Sequence, residues 1–242
     1  MIEMSKILLD MIYPRRCPVC GQIVSKNRSY VCDECKSQVS KILEPRCMKC
    51  GKALLAKEQE YCLDCSKKNH YFERGVSLWN YDDVMKRSIS NFKYHHRKEY
   101  AKFYAEEFVK EYGDYIKSLS LDGLIPVPIH WTKYIDRGYN QAQVIAEEIG
   151  KRLNIPVFEG VLVRKKRTIA QKQLSESERA RNLEHAFCVS EKWNESLCSL
   201  NSIMIIDDIY TTGCTINLCA KKLKEAGLKK VYFGVLCTGF SS

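Results

Sequence analysis

"IMIIDDIYTTGCT", residues 203–215, passes from four apolar residues into two aspartates, two threonines, a glycine, a cysteine and a third threonine. An unbroken apolar run has the character of a strand covered on both faces of a parallel sheet. The chain is expected to leave the sheet after Ile206, so that Asp207 and Asp208 project from the strand's carboxyl end, where open α/β sheets bind ligands. Adjacent carboxylates repel and need a polar or cationic group to answer them. A ribose ring offers two hydroxyl donors at a suitable separation. Thr211, Thr212, Gly213, Cys214 and Thr215 then lead into a helix N-terminus, whose free N–H groups and dipole favour a phosphate dianion. Carboxylates for a diol and amides for a phosphate together describe a ribose 5-phosphate. A turn that merely caps a helix is the plainer alternative, but one aspartate and one threonine would serve it. The stretch has neither the Gly-Lys-Ser/Thr of a P-loop nor the GxGxxG of a dinucleotide-binding fold.

Working outward, strands alternate with helices. "GVSLWNYD" (75–82), "DGLIPVPIH" (122–130), Val157 to Val163, Ala186 to Val189, Ile203 to Ile206 and "KVYFGVLC" (230–237) read as strands. Helices are expected from Val84 to Phe92, from about Glu99 to Ile116, after Asn140 as N-cap, over Ser175 to Asn182, and from Ile216 to Leu223 with Gly227 closing it. Pro126 and Pro128 stop their strand, and "WTKYIDRGYN" is expected as a loop. The pattern predicts an α/β fold, a parallel sheet flanked by helices.

The amino-terminal part is different. Cysteines at 17, 20, 32, 35, 47, 50, 62 and 65 form four CxxC pairs, each starting fifteen residues after the last. Glycine follows the first and third pairs only, so the repeat is thirty residues. A CxxCG turn lets two thiolates grip one zinc, and a second CxxC completes the tetrahedron. Two tandem zinc ribbons follow, Cys17, Cys20, Cys32, Cys35 and then Cys47, Cys50, Cys62, Cys65, holding one or two structural ions. Crossed pairing and an iron-sulfur cluster are the alternatives. Four thiolates leave no open position for water, so such zinc is not catalytic. Residues 1–69 are expected as the zinc-ribbon region and 70–242 as the α/β domain, with Ser66 to Asn69 as linker.

The chain has 242 residues, 45% of them apolar, enough for one α/β domain with a small appendage. Lys and Arg exceed Asp and Glu, 39 to 29, a balance that favours phosphate-bearing partners or simply a basic surface. The apolar stretch Ile7 to Tyr13 contains Asp10 and is far shorter than the roughly 20 residues of a membrane span. No membrane insertion is expected, and with no secretory signal the thirteen cysteines point to a cytoplasmic location.

Residues 203–215 resemble the phosphoribosyl-pyrophosphate (PRPP) motif of type I phosphoribosyltransferases. "IPVPIHW…RGYNQA" (125–142), "RTIAQKQLSESERARNLEHAF" (167–187), "FKYHHR" (92–97) and the CxxC array together resemble the ComF/GntX family, over nearly the whole chain from Cys17. The resemblance implies a type I phosphoribosyltransferase-like domain. In it Asp207 and Asp208 bind the ribose hydroxyls of PRPP and Thr211, Thr212, Gly213 and Thr215 its 5-phosphate, with Cys214 packed in the loop. Magnesium and basic side chains would stabilise the pyrophosphate leaving group. Arg137 and Lys165 are the candidates, the latter within the run Arg164, Lys165, Lys166, Arg167 that with Gln171 and Lys172 resembles a mobile hood closing over PRPP. Arg179 and Asn182 match an "ER…N" pattern; Lys93, Tyr94 and Arg97 are further candidates, and Tyr94 and Tyr139 either stack on a base or fill core. Thr211 stands where many purine enzymes carry an aspartate, which weakens a purine acceptor. Two functions follow from the resemblance: phosphoribosyl transfer to an unidentified nitrogenous acceptor, or non-catalytic PRPP sensing with single-stranded DNA and competence or DNA-uptake proteins as partners.

Overall fold

A computed structural model describes residues 14–24, 30–165 and 186–239. At its centre lie four parallel strands in the order β1-β6-β5-β2: β1 (Gly75–Asn80), β2 (Gly123–Pro126), β5 (Ser202–Tyr210) and β6 (Lys230–Thr238). A separate antiparallel pair joins β3 (Leu162–Arg164) to β4 (Phe187–Val189). The α/β expectation of a parallel sheet flanked by helices holds.

Strand β5 shows why its apolar run is continuous. Ile203 and Ile205 point to one face, where Ile216, Ala220 and Leu223 of the helix Cys214–Glu225 belong to the same core. Met204 and Ile206 point to the other, into a core with Phe108 and Ile116 of the helix Ala101–Ser118 and Ile145 and Ile149 of Gln141–Leu153. Residues alternate across a strand, so a sheet covered on both sides needs apolar side chains at every position. Each such fully buried side chain contributes about 1.5–3 kcal/mol. Among the described residues the α-helices are, in chain order, α1 (Asp33–Lys36), α2 (Leu63–Lys67), α3 (Asp83–Tyr94), α4 (Ala101–Ser118), α5 (Trp131–Arg137), α6 (Gln141–Leu153), α7 (Asn194–Cys198) and α8 (Cys214–Glu225). No helix among the described residues is long and apolar enough to cross a membrane.

Three expectations are corrected. The chain does not leave the sheet after Ile206: β5 stays paired with β6 through Asp207↔Val235, Ile209↔Cys237 and Tyr210↔Thr238. What stops is β2, whose last partners are Pro126↔Ile206, followed by a single Val127 N–H bond to the Ile206 carbonyl at 2.9 Å. "WTKYIDRGYN" is not a loop but carries α5, capped by His130, whose Nδ1 accepts from the Thr132 N–H, and closed by Gly138 in the left-handed conformation. Val157 to Val163 is not one strand. Val157 bridges Leu124, Gly160 turns the chain at φ +68°, and β3 starts at Leu162. The helix expected at Ser175 to Asn182 lies outside the described residues.

The cysteine-rich segment packs on the β1 side of the sheet. The Gly75 N–H donates to the Lys49 carbonyl at 2.8 Å, the Ser77 hydroxyl to the Cys50 carbonyl at 3.1 Å, and the Ile42 N–H to the Leu78 carbonyl at 3.0 Å. Arg46 and Lys41 reach α4 through Glu111, at 2.8 and 3.3 Å.

Candidate functional site: an acidic strand end and an uncapped helix

Because β5 continues past β2, its two aspartates lie on a strand with one flank open. Successive strand residues face opposite sides. Asp208 points to the side of α3, where Lys93 pairs with its carboxylate at 2.8 Å. Asp207 lies within electrostatic reach of Arg164 and, in turn, adds to burial in raising the Cys219 thiol, and its Oδ1 bends back to accept the Asp208 N–H at 2.8 Å. Burial and the neighbouring Asp208 charge push the Asp207 carboxyl up to about 7, against the pull of the Asp208 N–H, Lys93 and Arg164. Burial disfavours the Lys93 ammonium, but the Asp208 carboxylate outweighs it and holds Lys93 above its ordinary value. The pair is thus answered by an internal cation.

Lys93 has cationic neighbours: Lys133 feels the charges of Arg137, Arg164 and Lys93. On α5, Lys133 and Arg137 are one turn apart and share a face. Partial burial and the charges of Arg137 and Arg164 lower the Lys133 ammonium. Arg137 is buried and donates to Gln141 Oε1 at 2.7 Å and Tyr94 Oη at 3.2 Å, with its guanidinium 5.0 Å from the Tyr94 ring centre. Lys165 is exposed at the end of β3, its N–H bonded to the Ala186 carbonyl. Lys166, Arg167, Gln171, Lys172, Arg179 and Asn182 lie outside the described residues. Tyr139 is core: its hydroxyl donates to the Phe92 carbonyl and its ring packs on Phe92. Arg97 pairs with Glu99 at 3.7 Å.

Beyond Tyr210 the loop turns outward. Thr211, Thr212 and Cys214 are exposed, Thr215 is half-buried and Gly213 is buried. Gly213 has φ +75° and occupies the N-cap position of α8 with no side-chain cap, so the first N–H groups of a twelve-residue helix have no side-chain acceptor there. A Cβ at Gly213 would stand 2.2 Å from Tyr210 Oη, so glycine is required by space as well as conformation. Sequence reasoning did not set Lys133 beside Arg137, because their i, i+4 spacing was hidden by the expectation of a loop.

The cysteines form two groups, Cys17, Cys20, Cys32, Cys35 and Cys47, Cys50, Cys62, Cys65, each with its sulfurs within 4.8 Å of one another. Cys20 and Cys32 sulfurs are 3.6 Å apart and Cys50 and Cys62 sulfurs 3.7 Å. A tetrahedron with zinc–sulfur bonds of about 2.3 Å has edges of about 3.8 Å. The donor set therefore fits one zinc per group with sequential pairing, and Gly21 and Gly51 take φ +78° and +74° at the two CxxCG turns.

Residues 8–66 match the model of the double zinc ribbon domain. The chain is 27% identical over 219 residues to Competence protein F of Haemophilus influenzae, covering 89% of this chain and 93% of that protein. It is 29% identical over 238 residues to Competence protein ComFC of Streptococcus pneumoniae, covering 89% and 96%. The double zinc ribbon and these relatives, matched over most of the chain, together support a ComF family protein. A further relative, DNA utilization protein YhgH of Escherichia coli, is 25% identical over 228 residues, covering 93% of this chain and 97% of that protein. Like a double zinc ribbon protein, the chain carries two cysteine groups suited to structural zinc, here joined to an α/β domain with an acidic strand end.

Proposed function

We propose that this chain is a ComF-family protein that binds PRPP and transfers its phosphoribosyl group to a nitrogenous acceptor in the handling of incoming DNA. The carrying observation is the sequence of elements at one edge: an acidic pair on an open strand flank, followed at once by an uncapped helix behind a left-handed glycine. Asp207 and Asp208 offer acceptors to a sugar diol, and Thr211, Thr212, Gly213, Cys214 and Thr215 offer hydroxyls and amides to its phosphate. Lys93, Lys133, Arg137 and Lys165 supply positive charge for a pyrophosphate leaving group. Magnesium would arrive with the pyrophosphate, a hard cation suited to carboxylate and phosphate oxygens. The names of the relatives support the link to DNA uptake. The test is titration of the full chain with PRPP and magnesium, then pyrophosphate release with a panel of bases. Release that vanishes in the double variant Asp207→Asn, Asp208→Asn supports transfer; absence of PRPP binding in the unaltered chain refutes the reading.

A second reading, PRPP sensing with single-stranded DNA as partner, is favoured by a cleft of about 700 Å³ between the first cysteine group and the α3–α4 junction. Arg15, Arg16, Arg97 and Lys102 line it against one carboxylate, Glu99. Phosphate neutralisation by such cations makes binding steeply salt dependent. Tight PRPP binding without turnover, together with salt-sensitive oligonucleotide binding lost in Arg15→Ala plus Arg97→Ala, selects this reading over the first.

A further inference from the structure

Tyr210 is almost fully buried, yet its hydroxyl has no hydrogen-bond partner among the described residues. A buried hydroxyl in that state calls for an explanation. The ring stacks on Phe233, centroids 4.9 Å apart and planes 3° from parallel, and the oxygen lies directly beneath Gly213. From the cysteine-rich segment comes Lys52, itself buried, its ammonium 5.6 Å from the Tyr210 ring centre. Lys52 follows Gly51 of the second CxxCG turn, and its ammonium pairs with Asp64, between Cys62 and Cys65, at 3.2 Å. Its carbonyl accepts the Cys47 N–H at 2.8 Å. A continuous set of contacts thus runs from the second cysteine group through Lys52 to Tyr210 and up to the turn that opens α8.

We propose that the second zinc module forms the floor of the anion-binding loop, with Lys52 and Tyr210 as positioning residues that hold Gly213 in its left-handed turn and its neighbouring amides at the ligand. The inference rests on the PRPP reading of that loop. A buried ammonium facing a ring is a directional contact, and the glycine leaves no slack between ring and turn. Lys52→Met retains the stem, so Asp64 and the tyrosine ring lose a charge but little packing.

The experiment measures PRPP–magnesium affinity by calorimetry, zinc per chain by elemental analysis, and deuterium uptake of the peptide spanning 207–218, in the full chain and in Lys52→Met, Lys52→Arg and Tyr210→Phe. Lys52→Met is expected to keep its zinc, weaken PRPP roughly fivefold to tenfold, and speed exchange at 211–216, while Lys52→Arg restores both. Tyr210→Phe, which keeps the stack, is expected to weaken PRPP without loss of zinc. Unchanged affinity and unchanged loop exchange in Lys52→Met with zinc retained overturn the proposal. If the unaltered chain fails to bind PRPP, the ligand reading is what has failed, and loop exchange alone then decides the positioning claim: faster exchange in Lys52→Met sustains it and unchanged exchange ends it.

Discussion

Replacing Asp207 with asparagine should make the free protein more stable, and more so in alkali. The carboxyl's ordinary value of 3.8 is raised to about 7 in the folded chain. The folded state therefore holds the proton more tightly than the unfolded state. Asp207 costs nothing below the unfolded value, its cost grows as pH rises between the two, and it is complete above the folded value. A shift from 3.8 to about 7 corresponds to roughly 4 kcal/mol at full ionisation. Asp207 is only half-buried, and solvent reduces this to about 2 kcal/mol. Asparagine retains an oxygen for the Asp208 N–H, so the substitution isolates the charge. Urea denaturation should show Asp207→Asn more stable by about 2 kcal/mol near about pH 8.5 and by about 1 kcal/mol near about pH 5.5. An equal gain at both, or a loss at the higher pH, would refute the reasoning. A gain in stability accompanied by lost PRPP binding would mark Asp207 as kept for function at a cost in folding.

Lys93→Met strands the buried Asp208 carboxylate and should destabilise the fold by about 3–5 kcal/mol, read from the denaturation midpoint. Chelation should release two zinc ions per chain and expose residues 14–69 to protease, because so short a segment depends on metal for its folding; native mass spectrometry counts the ions. Gly213→Ala should abolish PRPP binding in calorimetry, since its Cβ collides with Tyr210 Oη in a backbone conformation alanine avoids. Asn140→Ala removes both the cap of α6 and a bond to the Val127 carbonyl, at a cost of about 1–2 kcal/mol by thermal unfolding.

Local signals carried far in this chain. The thirty-residue cysteine repeat gave the two metal groups and both left-handed glycines, and the burial of Ile203 to Ile206 on both faces of the sheet was already implied by their unbroken apolar character. The readings that failed were those where tertiary pairing outweighs local preference. Aspartates disfavour strands, so β5 was expected to end at Ile206, but hydrogen bonds to β6 carry it to Tyr210. Helix α5 has seven residues, too few for periodicity to declare itself, and its cap is a histidine. The Lys93–Asp208 pair joins residues 115 apart, a contact that no spacing rule reaches. Cooperation between Lys52 and Tyr210 was hidden for the same reason.

The early halt of β2 has a further consequence. On β5 the backbone of Asp208 faces the flank that β2 has vacated, and the Asp207 carboxylate takes the role of the absent neighbour by receiving that amide. A guest that recruits this oxygen must leave the amide something else to hold. Entry to the crevice is therefore an exchange of partners along a fraying hem, and molecules carrying both a donor and an acceptor at adjacent positions are the ones that can complete it.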